Sequence, residues 1–171
     1  MMLLFNILQF CLTCAFKITY KLLIKNFFLA DDDPDDTDLF GEALRRIDNR
    51  IIFHTAANGK ELIEKLRTTK EKPEIIFLDI NMPELDGWES LRTLKENDTL
   101  REIPVIMYST SAALLDGNRA IKCGAVCYLE KPFSFAKLKE FLEKVTFSSR
   151  DELIGTLKSI EAAKNHNIVV A

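Results

Sequence analysis

The chain is expected to fold as an α/β domain on a five-stranded parallel sheet with helices on both faces. Two observations predict this. Five short apolar runs recur along the chain, and helix-spaced amphipathic segments lie between them. The runs are "NFFLA" (26–30), "RIIFHTA" (50–56), "EIIFLDI" (74–80), "IPVIMYS" (103–109) and "AVCYLE" (125–130). Each is rich in β-branched and aromatic residues and too short for an ordinary helix. Alternation of such strands with helices makes consecutive strands parallel, because each helix returns the chain across a sheet face.

The helical segments follow in order. Asp33 is placed as an N-cap with Pro34 at the first helical position, ahead of the stripe Leu39, Phe40, Ala43, Leu44 and Ile47. Asn58-Gly59 reads as a turn before the stripe Leu62, Ile63 and Leu66. Gly87 reads as a tight turn before Trp88, Leu91 and Leu94. A fourth helix is expected from Ala112 to Lys122, ended by Gly124, and a fifth from Ser134 with Phe135, Leu138, Leu142 and Val145 on one face. The tail, 147–171, is expected to hold one more short helix. There Ser149 and Glu152 fit a capping box ahead of Leu153, Ile154, Leu157 and Ile160. A tail of that size is too small for a DNA-binding or enzymatic output domain, so the expectation is a domain that stands alone.

At 171 residues, 47% hydrophobic and 29% charged, the composition is globular rather than disordered. A net charge of −3 gives no electrostatic ground for direct nucleic acid binding. Cys11, Cys14, Cys123 and Cys127 lack the companion ligands of a zinc site and are expected as buried reduced thiols. His54 is expected to pack and His166 to be exposed. The stretch "MLLFNILQFCLTCAF" (2–16) is largely apolar and is followed by Lys17, Lys21 and Lys25. It has no leading positive charge or cleavage site for a secretory signal. It is also shorter than the ~20 apolar residues of a membrane span. Residues 1–24 are therefore set apart as an extension, either a mis-assigned start or a weak membrane anchor. Residues 25–146 form the compact domain, expected in the cytoplasm.

In a sheet of this kind ligands bind outside the carboxyl ends of the strands, where the strand order reverses. In the order 2-1-3-4-5, that of flavodoxin, strands one and three are neighbours. That order joins Asp31 and Asp32 to Asp79, while strand four leads to Ser109 and Thr110 and strand five to Lys131 and Pro132. Carboxylates this close repel by ~4 kcal/mol per pair at an effective dielectric near 20. Raised pKa values or a bound cation relieve the repulsion. Mg²⁺ suits a few carboxylates while leaving room for phosphate oxygens. With Lys131 and Ser109 added, the set can hold a phosphoryl group, and one carboxylate can accept it as an aspartyl phosphate.

Four stretches carry a resemblance: "FLADDD" (28–33), "FLDINMPELDGWE" (77–89), "IPVIMYSTSA" (103–112) and "GAVCYLEKPFS" (124–134). Together they resemble the motifs of the response-regulator receiver domain, the CheY-like fold. The resemblance implies that Asp79 is the phosphoacceptor in two-component signal transduction. It implies that Asp31, Asp32, Asp79 and the backbone carbonyl of Asn81 hold Mg²⁺. Lys131 would pair with the phosphoryl group, with a cis bond to Pro132. Ser109 would bind phosphate as the switch hydroxyl, and Tyr128 would be the aromatic that moves with it. Asn81, Thr110 and Ser111 fall at positions that tune phosphoryl lifetime; Thr110 departs from the family's usual Ala or Gly. Asp33, Asp35 and Asp36 match no ligand and are assigned to the start of the first helix.

The implied partners are a sensor histidine kinase or histidine phosphotransfer protein and an unknown downstream target. The target would bind on the face of the fourth helix, fifth strand and fifth helix. The tail helix would dock there, dock on a second copy to make a homodimer, or pack locally. Two other readings compete. A receiver-like interaction module would take no phosphate. A phosphatase of the haloacid dehalogenase type would need an aspartate two positions after the nucleophile, where this chain has Asn81. An EF-hand is excluded, since no Asp-x-Asp-x-Asp-Gly run occurs.

Overall fold

The computed structural model describes residues 26–110, 114–164 and 166–171. The apolar extension with Cys11 and Cys14, and also Ser111, lie outside the described residues. No helix among the described residues is long and apolar enough to cross a membrane.

The elements run β1 (Asn26–Ala30), α1 (Pro34–Ile47), β2 (Ile52–Ala56), α2 (Gly59–Thr68), β3 (Ile75–Leu78) and α3 (Gly87–Glu96). Then come β4 (Val105–Ser109), α4 (Leu114–Lys122), β5 (Cys127–Glu130), α5 (Phe135–Thr146), α6 (Leu153–Ala163) and β6 (Ile168–Val170). They make a single sheet in the order β2-β1-β3-β4-β5-β6. The expected five-stranded, all-parallel sheet is corrected here. Parallel pairing holds from β2 through β5, and β6 adds a sixth, antiparallel strand to the β5 edge. The tail thus contributes a strand as well as a helix. Its "IVV" is strand-like but only three residues long, and it pairs because β5 would otherwise be an open edge.

Strand alternation divides the core in two. Phe27, Leu29, Phe77, Ile106, Tyr108, Cys127 and Leu129 point to one face, where α1, α5 and α6 supply Phe40, Phe141 and Leu157. Phe28, Ala30, Ile76, Leu78, Met107 and Tyr128 point to the other, met by Leu62 of α2, Leu91 of α3 and Ala120 of α4. Both faces of the central strands are buried, and for that reason β3, and β1 beyond Asn26, read as unbroken apolar runs. The tail strand obeys the same alternation: Ile168 enters the first core and Val169 packs against the second. Gly117 of α4 lies so close to β6 that an added Cβ would fall 2.6 Å from the Val169 side chain.

Capping side chains mark the starts of α1, α2, α3 and α5. Asp33 caps α1 by accepting from the Asp35 amide, with Pro34 first in the helix. Asn58, expected in a turn, is instead the N-cap of α2 and accepts from the Glu61 amide at 2.9 Å. Asp86 and Ser134 cap α3 and α5. Ser149 and Glu152 do bond to each other, but they close a turn ahead of α6, whose N-cap has no side-chain bond. Two burial expectations also fail. Cys123 is exposed, just past the end of α4. His166 is buried, with Nε2 3.0 Å from the Lys137 carbonyl and its ring against Phe141, because it packs on α5.

Candidate functional site

The ladder between strands continues one residue past the ends of β1, β3 and β5. The Asp31 amide donates to Ala56, the Asp79 amide to Ala30 and the Lys131 amide to Ser109, at 2.9, 2.9 and 2.7 Å. Each of these side chains therefore starts from a backbone held by the sheet. The loops beyond fold back on the carboxylates: Asp31 Oδ1 accepts from the Asp33 amide and Asp79 Oδ2 from the Asn81 amide.

On this rim the three carboxylates read from the sequence come together. Asp31, Asp32 and Asp79 each offer an oxygen, and these lie within 4.8 Å of one another. Asp31 and Asp79 are buried and Asp32 is exposed. This set of hard oxygen donors, open to solvent on one side, fits a Mg²⁺ ion that keeps several waters. Lys131 Nζ stands opposite, 2.8 Å from Asp31 Oδ2 and 3.4 Å from Asp79 Oδ1. Burial pushes the Asp31 carboxyl up to about 6, more than its bond to Lys131 pulls it down. Burial would lower the Lys131 ammonium, but its bonds to Asp31 and Asp36 hold it above its ordinary value.

Ser109 ends β4 and is fully buried, with Thr110 exposed just beyond it. Tyr128 is buried in the core under α2, α3 and α4. The Lys131–Pro132 bond is trans, as no peptide bond among the described residues is cis. The expectation of a cis bond is thereby corrected; the preference between isomers at proline is only ~0.5–1 kcal/mol.

Two site residues were missed in the sequence. Asp36, assigned only to the helix start, places Oδ2 2.7 Å from Lys131 Nζ. Tyr108 carries its ring 5.4 Å below the same ammonium, and burial pushes its phenol above the ordinary value. Position in a charge run concealed the first, and a role in the core concealed the second.

Fold and site together define a domain that gathers carboxylates, a lysine and a hydroxyl at the carboxyl end of a parallel sheet. The chain belongs to the response regulator receiver domain family, whose model matches residues 27–143. It is 30% identical over 123 residues to a protein-glutamate methylesterase/protein-glutamine glutaminase of Methanococcoides burtonii. That match covers 68% of this chain but only 34% of the relative. The response regulator DivK of Brucella anthropi is 29% identical, with 70% of this chain and 94% of DivK covered. Among solved structures, the phosphorylated cyanobacterial phytochrome response regulator RcpA superposes with a TM-score of 0.65 at 30% identity. The superposition covers 71% of this chain and 90% of RcpA.

Proposed function

We propose that this receiver is switched by phosphorylation of Asp79 in a two-component pathway. The observation that carries the reading is the convergence of Asp31, Asp32 and Asp79 on one side of Lys131, at the rim of the sheet. The donor is a phosphohistidine on a sensor kinase or phosphotransfer protein. An Asp79 carboxylate oxygen bonds to phosphorus as the bond to the donor nitrogen breaks, and the leaving imidazole keeps the electron pair. Asp31, Asp32, Asp79 and the Asn81 carbonyl would hold Mg²⁺, which would supply positive charge to offset that of the incoming phosphoryl oxygens. Lys131 neutralises another of those oxygens, and the Ser109 hydroxyl donates to a third. Tyr128 follows Ser109 and biases how α4 and β5 hold β6, which pairs on β5 and packs against α4, between two states that a downstream protein distinguishes. The chain acts in the cytoplasm. RcpA, a relative at 30% identity described in phosphorylated form, supports this reading.

The test is incubation with acetyl phosphate, with and without Mg²⁺, comparing wild type with Asp79→Asn. Wild type should gain a base-labile phosphate that needs Mg²⁺, and the variant should gain none. Failure of wild type to take phosphate from acetyl phosphate or any histidine kinase would leave a binding module without phosphoryl control.

A further inference from the structure

We infer that Asp36 is a positioning residue of the same site: it anchors the Lys131 ammonium and competes with the phosphoryl group for it. The inference rests on Asp79 being the phosphoacceptor and adds a control on how fast that residue is loaded.

The distances rank the three carboxylates around Lys131. Asp36 at 2.7 Å and Asp31 at 2.8 Å take hydrogen bonds, while Asp79 at 3.4 Å is reached only as an ion pair. The lysine thus sits closer to the start of α1 than to the residue it would serve. Asp31 belongs to the converging carboxylates, but Asp36 does not. A cation that engages Asp31 therefore leaves Asp36 as the remaining carboxylate anchor outside the metal cluster. Exposure separates the two as well, since the Asp36 side chain is 33% exposed and that of Asp31 only 1%. Water can solvate Asp36 when the lysine leaves it, so the anchor is releasable. Its place is fixed: the Asp33 cap and Pro34 set the first turn of α1, and the Asp36 side chain reaches from that turn to Lys131, just past β5.

The consequence concerns phosphoryl transfer itself. As the bond from phosphorus to the acetate oxygen of acetyl phosphate breaks and the bond to Asp79 forms, acetate leaves with the electron pair. Lys131 must by then face the transferring oxygens. An ammonium is a compact point charge with three donors, and turning one of them from Asp36 is part of the barrier. Weakening that hold frees Lys131 earlier.

The experiment measures Mg²⁺-dependent loading by acetyl phosphate in wild type, Asp36→Asn, Asp36→Glu, Asp35→Asn and Asp79→Asn. It also measures half-saturation by beryllofluoride, a phosphoryl mimic that binds without group transfer, from the rise in melting temperature. Asp36→Asn should load about fivefold faster, the scale of one partly exposed charge pair, and should saturate at lower beryllofluoride. Asp36→Glu should restore the slow rate. Asp35→Asn, which removes the same charge from an exposed neighbour, should match wild type. Loading of Asp36→Asn at or below the wild-type rate, with Asp79→Asn blank, overturns the role of Asp36 alone. Equal acceleration in Asp35→Asn overturns it too, in favour of general charge. Labelling of Asp79→Asn overturns the phosphoacceptor reading and this inference with it.

Discussion

Gly87 and Asp79 meet backbone against backbone. A Cβ on Gly87 would overlap the Asp79 carbonyl oxygen and fall 2.8 Å from Ile80 Cα. The Gly87 amide also donates to the Ile80 carbonyl at 3.0 Å. The first residue of α3 therefore forms the floor of the loop that presents Asp79, and only a residue without a side chain fits. Gly87→Ala must push that loop outward. Overpacking of this kind costs ~1–3 kcal/mol, which urea denaturation will register. Misplacement of a reacting group by about 1 Å can cost ~100-fold in rate. The accompanying prediction is at least a tenfold drop in Asp79 loading by acetyl phosphate.

On the proposed Mg²⁺ site, the raised carboxyl of Asp31 would make cation binding depend on pH. Burial moves it from 3.8 to about 6, so the folded protein holds that proton more tightly than the unfolded chain. For this group, stability falls as pH rises from about 4 to about 6, and the penalty is complete above that window. A divalent cation needs the carboxylate and so competes with the proton. Mg²⁺ affinity measured by titration calorimetry should fall about tenfold between pH 7 and pH 5. A flat profile would show that Asp31 is ionised throughout.

The C-terminal strand should contribute measurable stability. Ile168 enters the core beneath α1, α5 and α6 from the sheet edge, paired with Leu129. Ile168→Ala should lower the unfolding free energy by about 2 kcal/mol, the low end for a buried isoleucine because the strand is at an edge. Equilibrium urea unfolding checks this, and no change would mean that β6 is not held on β5 in solution.

Thr110 stands exposed immediately after Ser109. On the proposed phosphorylation of Asp79, a β-branched side chain at this position would narrow the approach of water to the phosphoryl group. Thr110→Ala should therefore shorten the phosphoryl lifetime, by up to about tenfold, or ~1.4 kcal/mol of barrier. Decay of the two phosphoproteins after removal of the donor decides the matter; equal half-lives would remove Thr110 from any role in lifetime.

Residues whose place at the rim follows from position along the chain were legible in the sequence. Asp31, Asp32, Asp79 and Lys131 each lie within two residues of the end of a strand-forming run, and alternating strands and helices bring such positions to one edge. Asp33 and Pro34 announced a helix start by local chemistry alone. Asn58 was misjudged because Asn-Gly serves turns and caps alike, and only the Glu61 amide decides between them. The exposure of Cys123 and the burial of His166 depended on which elements close over them.

The sequence by itself determined the order of strands and helices, the two-sided burial of β1 and β3, and the acidic rim. These follow from periodicity and from short-range capping, which act within a few residues. Tertiary structure alone decided the partners of Lys131. Asp36 lies 95 positions from it in the chain, and a charge run read locally looks like a solvated helix start. It also decided that "IVV" becomes a sixth strand, because a three-residue run gains its hydrogen bonds only when the open edge of β5 receives it. In both cases the stabilising contact joins distant segments, and its energy depends on a geometry that no local pattern encodes.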